Sequence, residues 1–322
     1  MEKQPSTRLK RYYRILIVLC AALMITGTAY AKNIYENSHA QITILEEEPI
    51  PPMTEPAAWE QGSVEVDFSL PAAGKEIVNI LLIGQDAVSE TGARADTMIL
   101  CTFNKEKNTI TMTSFLRDLY VRIPGYQKNR LNAAFSFGGT KLLNETLYEN
   151  FGVEIDGNIQ VDFSQFEKII DKLGGVTMEL TAAEAAFINK HLEGLALTKG
   201  THLLNGQQAL LYARDRYDVD GDFSRTNRQR KLLHVLIDTC KSKKLTEMIG
   251  LMNDMLPLVT TDFSKSDIAS YTWMVLPMLG SAELEMQAIP VDGAYTYQTI
   301  DGKSVIVPDF EKNRQALEDS LT

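Results

Sequence analysis

The sequence is poor in the residues from which metal centres and covalent active sites are commonly built. It has three cysteines in 322 residues, Cys20, Cys101 and Cys240, an odd number without CxxC spacing. That pattern points to isolated thiols rather than a disulfide framework or a thiolate metal site. The four histidines, His39, His191, His202 and His234, share no ligand spacing, so zinc is not supported. There is no GxSxG, no P-loop, and no legible Ser/His or Cys/His pair, so a covalent protein nucleophile is not supported either. A basic excess is also missing. Lysine and arginine total 32 against 42 acidic residues, a net charge of -10, which argues against general nucleic-acid binding. No internal repeat and no interior linker interrupts residues 76–322, which read as one domain.

Charge is absent from one early stretch, and that absence is informative. Residues 1–14 carry Lys3, Arg8, Lys10, Arg11 and Arg14 against Glu2, and Ile15 to Ala31 then has no charged residue. As a helix this run would span about 26 Å, near the lower limit for crossing a bilayer. Tyr12, Tyr13 and Tyr30 stand at its ends like interfacial aromatics. The basic tail is expected in the cytoplasm and the rest of the chain outside. Ala29-Tyr30-Ala31 also fits a small-x-small signal cleavage site, which is the rival reading. Residues 32–75, with Glu46-Glu47-Glu48-Pro49-Ile50-Pro51-Pro52, read as an extended extracellular stem.

From Glu76 onward strands and helices mix. Val78 to Gly84 is an unbroken apolar run ending in glycine, the pattern of a buried central strand. Thr97–Phe103 and Thr109–Phe115 read as a hairpin, and Tyr120–Ile123 as a short strand. Helices are expected over 131–137, 140–150 and 164–173, the last ended by Gly174-Gly175. Val176–Leu180 is strand-like, and Thr181 to Glu184 is a capping box. A helix follows Asn205-Gly206, and a long one runs from Ser224 to about Lys243 with Leu232, Leu233, Leu236 and Ile237 as its apolar stripe. Late strands fall at 283–289 and 304–307, and a final helix at about 310–320. The class is α/β with a mixed sheet.

Arg214 to Gln229 holds four arginines and four aspartates in sixteen positions. Arg214 and Arg216 are spaced for one side of an extended segment, whereas Arg225, Arg228 and Gln229 share one helix face. An arginine pair beside a helix start forms an anion site. Asp86 lies just past the buried strand, where open α/β sheets keep ligands. Arg94 and Asp96 precede the next strand, and Arg117-Asp118 follow the one after it. Each alone passes for a turn aspartate or a surface arginine. Together they deliver carboxylates and arginines to one rim. Oxygen donors of this kind suit Mg²⁺, and the set points to electrostatic catalysis on a phosphorylated substrate.

Several segments carry a resemblance: Gly84-Gln85-Asp86, Arg94-Ala95-Asp96-Thr97-Met98, Ser114-Phe115-Leu116-Arg117-Asp118, Arg130-Leu131-Asn132-Ala133-Ala134, Phe137-Gly138-Gly139, Arg214-Asp215-Arg216, and Gly221 through Gln229. In this order over about residues 76–235 they resemble the LytR-CpsA-Psr family. The resemblance implies a three-layer α/β/α domain outside the membrane of a cell with a thick peptidoglycan wall. It implies transfer of an anionic glycopolymer (teichoic acid or capsule) from a polyprenyl-pyrophosphate carrier to peptidoglycan, with formation of a phosphodiester. By position, Asp86 and Asp96 would hold Mg²⁺, and Arg94, Arg117, Arg214 and Arg216 would bind pyrophosphate oxygens. Asp222, Arg225 and Gln229 would shape the pocket. The sequence departs from the family pattern at Arg130, where lysine is usual, and at Phe115-Leu116, where isoleucine-proline is common. Asp86 and Asp222 are both candidate bases. The alternative of another class is a non-catalytic polyprenyl-pyrophosphate binding or regulatory module. Arg228, without a role in the family, is expected to matter little.

Overall fold

The computed structural model describes residues 43–44, 76–85, 94–215, 222–241, 247, 250–251 and 254–321. The chain divides into two units, Met1–Ile42 and Thr43–Thr322, and every described residue belongs to the second. The expected basic tail and membrane helix lie outside the described residues, as does the expected stem apart from Thr43–Ile44.

The strands of the main sheet are β1 (Thr43–Ile44), β2 (Ile77–Gln85), β3 (Ala95–Asn104), β4 (Thr109–Phe115), β7 (Gly157–Asp162), β10 (Thr260–Thr261) and β11 (Glu283–Ile289). Their order is β1-β10-β7-β2-β3-β4-β11. β2 runs parallel to β7 and antiparallel to β3, β3 is antiparallel to β4, and β4 is parallel to β11. One rim therefore collects the C-terminal ends of β2, β4, β7 and β11 and the start of β3. The alternation of β2 sends Leu81 and Ile83 into one core and Val78 and Ile80 into another. Period-two alternation with apolar residues at both phases requires cover on both faces. Helices α1 (Leu131–Phe151) and α7 (Phe310–Leu321) cover the first face. Helices α5 (Asp222–Lys241) and α6 (Lys265–Ser281) cover the second. The result is an α/β fold with a mixed central sheet between helical layers.

The expected helices 131–137 and 140–150 form one element broken at Gly138-Gly139, where Gly139 has φ 61° and ψ -153°. Only glycine adopts that conformation without strain. Thr181 caps α3 (Ala182–His191) by the capping box read from the sequence, and Asn205 caps α4 (Gly206–Arg214) in the same way. Asp162 does so for α2 (Phe163–Lys172).

Three pairings go beyond the sequence reading. β5 (Tyr120–Val121) pairs with β6 (Asn129–Arg130), and β8 (Val176–Leu180) with β9 (Gly200–Leu204). β12 (Tyr295–Ile300) pairs with β13 (Lys303–Pro308) across Asp301-Gly302, both at positive φ. Asp-Gly between strands is a strong hairpin signal, and it was present in the sequence. β9 gave none, because its exposed face carries Leu203 and its register depends on β8.

α5 joins two cores. Leu233 and Ile237 pack on the sheet, while Leu232, Val235 and Leu236 pack against α2, α4 and the β8–β9 pair. Arg228 fastens this helix, a packing role that its spacing in the sequence does not reveal. Its guanidinium is almost fully buried, donates to the Asp215 carbonyl at 2.5 Å, and lies 3.8 Å from the Asp215 carboxylate and 3.7 Å from Glu184. It thus ties α5 to the end of α4 and the start of α3. Removing one partner from a buried ion pair strands the others, at a cost of about 3–5 kcal/mol. Arg228→Met is expected to lower unfolding stability by about 3 kcal/mol in a denaturant titration. Stability within 1 kcal/mol (roughly the scale of an exposed pair) would show that the contact is incidental.

Candidate active site

The start of β3 is bulged. Gly84 pairs with Thr97 and Gln85 with Ala95, so Asp96 drops out of register. Bulges re-aim side chains, and this one presents Asp96 at the rim. The glycine gives this close pairing room, since a Cβ on Gly84 would sit 3.0 Å from Thr97 Cβ and the two would have to move apart by a few tenths of an ångström.

Asp96 Oδ1 accepts from Arg117 NH1 at 2.6 Å. Arg117 follows β4, and its Nε lies 3.5 Å from Asp222 and 3.7 Å from Asp118. One guanidinium thus faces three carboxylates, from β3, the β4 end and the first residue of α5. Burial alone would lower its pKa. The hydrogen bond to Asp96 and the charges of Asp96, Asp222 and Asp118 outweigh burial and raise it, so the group is permanently cationic.

Two further arginines close the cluster. Arg225, one turn into α5, holds Asp222 at 2.6 Å and donates to the Asp96 carbonyl at 3.1 Å. Arg130 lies 3.3 Å from Asp118 and donates to the Ser304 carbonyl at 2.6 Å. The N–H groups of Leu131 and Asn132 donate to the Leu119 and Arg117 carbonyls, which seats the start of α1 against this segment. Three arginines and three aspartates balance among the described residues.

Two more arginines border the cluster: Arg94, exposed just before β3, and Arg214, exposed at the end of α4. The Arg214 guanidinium lies over the Phe163 ring, 4.4 Å from its centroid. Arg214, Phe163 and Gln229 line a cavity of about 220 Å³ that is otherwise largely apolar, running between the sheet and α2, α4 and α5 past Leu82, Ile159 and Leu236. Gln229 also donates to the Ala213 carbonyl at 3.3 Å, fixing α5 against the end of α4. Thr97 lines the same cavity and adjoins Asp96, so the apolar slot and the charged cluster meet at the bulge. Ligand pockets commonly hold about 300–1,000 Å³. A long apolar ligand must therefore widen this slot or enter it only in part.

The structure thus brings Asp96, Arg117, Asp222, Arg225 and Arg130 together, with Arg214 and Gln229 on the adjoining cavity. Arg94 stands two residues before Asp96, at the edge of this group. Asp86 and Arg216 lie outside the described residues. Asp118, read from the sequence as a rim carboxylate without a role of its own, and Phe163, which the sequence reading did not single out, complete the site. Asp118 had a signal, being the next residue after Arg117 at a strand end. Phe163 had a weaker one, as the first residue after β7 on the same rim.

The donor chemistry admits Mg²⁺. Carboxylate oxygens are its preferred protein ligands, and Asp118 Oδ1 is buried without a hydrogen-bond donor. Among the described residues no cluster of three or more metal-ligating side chains stands preformed. An ion here would therefore rely on one or two carboxylates plus oxygens of the substrate.

The chain is similar over most of its length to known proteins. The LytR_cpsA_psr family profile matches residues 47–319. Regulatory protein MsrR of Staphylococcus aureus is 30% identical over 260 residues, 79% of this chain and 77% of MsrR. TagT of Bacillus subtilis, a polyisoprenyl-teichoic acid–peptidoglycan teichoic acid transferase, is 36% identical over 176 residues, 52% of this chain and 54% of TagT. A solved structure of TagT with bound octaprenyl pyrophosphate lipid superposes with a TM-score of 0.60 at 26% identity, covering 80% of this chain and 94% of that one. With a family match over most of its length, the chain belongs to the LytR_cpsA_psr family.

Proposed function

We propose that this protein is a phosphotransferase that moves an anionic wall glycopolymer from a polyprenyl-pyrophosphate carrier to a peptidoglycan hydroxyl. The observation that carries the reading is the join at Asp96-Thr97, where an apolar slot opens beside a guanidinium-rich rim. A lipid pyrophosphate has that same division, an apolar tail and a compact anionic head. The relatedness to TagT, a teichoic acid transferase, and the octaprenyl pyrophosphate bound in a TagT structure support the same substrate class. Family members work on the outer side of the membrane in this reading, with the chain anchored by Ile15–Ala31.

In the reaction the acceptor oxygen attacks the phosphorus that bears the polymer. The bond from that phosphorus to the bridging oxygen breaks, polyprenyl phosphate leaves, and the acceptor proton passes to a base. Arg117 presents planar donors to the head group and is held in place by Asp96 and Asp222. Arg214, set over Phe163 at the cavity, guides the junction of tail and head. Asp222, itself bound to Arg225 and close to Arg117, orients these guanidiniums. Mg²⁺, with Asp96 and Asp86 as its proposed ligands, would neutralise charge on the pyrophosphate oxygens when bound.

Lysine keeps the charge of arginine and loses its bidentate geometry. Arg117→Lys and Arg214→Lys are each expected to cost about 2–4 kcal/mol of transition-state stabilisation, mostly in kcat. The assay is release of polyprenyl phosphate by the full-length chain in detergent. Turnover at the unaltered level in both variants would place the pyrophosphate elsewhere.

The metal is tested separately. Chelation is expected to abolish turnover and added Mg²⁺ to restore it, and Asp96→Asn is expected to require far more Mg²⁺ for half-maximal rate. Undiminished activity in excess chelator would remove the ion from the scheme.

The cavity makes a third expectation. Leu210→Trp places an indole in the slot. Binding of a long-chain polyprenyl pyrophosphate is expected to fall well below that of a short-chain analogue, whose affinity should hardly change. Equal loss for both would mean that the slot does not take the tail.

A further inference from the structure

A second pocket opens on the other side of α5. Its volume is about 410 Å³, and its lining includes Phe223, Asn227 and Arg230 of α5, Gln287 of β11, and Val291 and Asp292 after it. It begins one residue from Asp222, which faces Arg117 at 3.5 Å. It also shares the strand end of the charged cluster, because the Leu116 N–H donates to the Ile289 carbonyl at 3.0 Å.

Arg230 is the unusual group in this pocket. Its Nε and NH1 are buried and have no hydrogen-bond partner among the described residues. Asp292 also lines the pocket but is exposed, and no ion pair joins it to Arg230 among the described residues. Burial lowers the pKa of this guanidinium, and among the described residues no carboxylate acts against that. Desolvated donors without partners are costly, and nothing in the surrounding fold uses these. The charge has the sign and the fork that a carboxylate or phosphate requires.

An aromatic run leads from the same pocket to solvent. Phe223 stacks on Tyr295 at 5.3 Å between centroids, and Tyr295 meets Tyr297 edge to face at 5.6 Å. Tyr297, on the β12–β13 hairpin, is 62% exposed. A rigid aromatic face with a polar tip suits the mixed surface of a sugar ring.

We propose that this pocket is the acceptor subsite, in which Arg230 binds an oxyanion carried by the incoming wall glycan and Tyr297 takes the face of one of its sugars. The proposal rests on the transfer reading above, and it assigns the donor and acceptor to opposite sides of α5. Peptidoglycan offers the oxyanion as the carboxylates of its peptide stems. A phosphate of the donor polymer has the same chemistry and is the competing source.

The test uses the full-length chain in detergent, a soluble peptidoglycan glycan–peptide oligomer, and the same oligomer with its carboxylates amidated. Direct binding of the oligomer is read without turnover, and transfer is read against acceptor and donor concentration. Arg230→Gln is expected to weaken the native oligomer roughly tenfold in Kd and acceptor KM, the scale of one charge-assisted hydrogen bond. Donor KM should not move. Amidation should weaken the unaltered protein by the same factor and leave Arg230→Gln indifferent. Tyr297→Ala, at an exposed ring, should weaken both oligomers alike, and Arg230→Lys should recover part of the loss. Unchanged acceptor binding in Arg230→Gln would overturn the proposal, as would an equal loss with the amidated oligomer. A rise confined to donor KM would assign the pocket to the polymer phosphate instead. If Arg230 governs oligomer binding but no transfer occurs, the subsite stands and the phosphotransferase reading falls.

Discussion

The contact between Arg117 and Asp96 is the constraint on which the rest of the site depends. The two residues stand at the end of one strand and the start of another, 21 positions apart, and their 2.6 Å bond closes the rim over the bulge in β3. Asp222 adds the start of α5 to the same guanidinium, and Asp118 leads on to Arg130 and the start of α1. Two helices and two strands are thus registered by one planar cation. Arginine suits this position because its donors are fixed in a planar fork that reaches several carboxylates from different sides, whereas a lysine ammonium is a compact point charge without that fixed geometry.

That arrangement has an electrostatic consequence. Three guanidiniums and three carboxylates held close together carry no net charge, so the cluster alone has little attraction for a pyrophosphate bearing about two negative charges. Beside it stand the exposed Arg94 and Arg214, and the carboxylates offer oxygens to a cation. The longer ion pairs, at 3.3 to 3.7 Å, lack the geometry of full hydrogen bonds and leave Arg117 Nε and Asp118 Oδ1 unsatisfied. An imperfectly satisfied cluster is unfavourable for stability. It is also one in which an incoming phosphate oxygen or a divalent ion can form bonds without first breaking good ones.

Sequence reading recovered the elements whose signal is local. The continuous apolar run of β2, the capping box of α3, the helix start at Asn205-Gly206 and the glycine break at 138–139 all follow from residues within a few positions of one another. Arg117 and Asp118 were legible for the same reason, since charged residues directly after an apolar run mark the point where a buried strand reaches solvent. Side-chain fate was less legible. Arg225, Arg228 and Gln229 share a helix face by spacing, yet Arg228 turns to Asp215 and Glu184 and serves α5 packing, while Arg225 serves Asp222. Spacing fixes which residues are neighbours on a helix and says nothing about which element comes to lie against them. The bulge at Asp96 was hidden for a similar reason, because register shift is a property of two strands and not of either one.

The β12–β13 hairpin shows what this limit conceals. Its Asp301-Gly302 turn could be read locally, but its importance lies in what it meets. Leu119 forms an isolated parallel bridge to Ile306, the Ile306 N–H donates to the Asp118 carbonyl, and Ser304 receives Arg130. The hairpin is therefore fastened to the segment that carries Arg117 and Asp118, while its other strand holds Tyr295 against Phe223 at the start of α5. A displacement of the hairpin would be felt at once by Arg130, by Asp118 and by the first turn of α5. The aromatic surface beside the Arg230 pocket is thus built on the same supports as the charged cluster, and the geometry of the two sites is coupled through a few backbone hydrogen bonds.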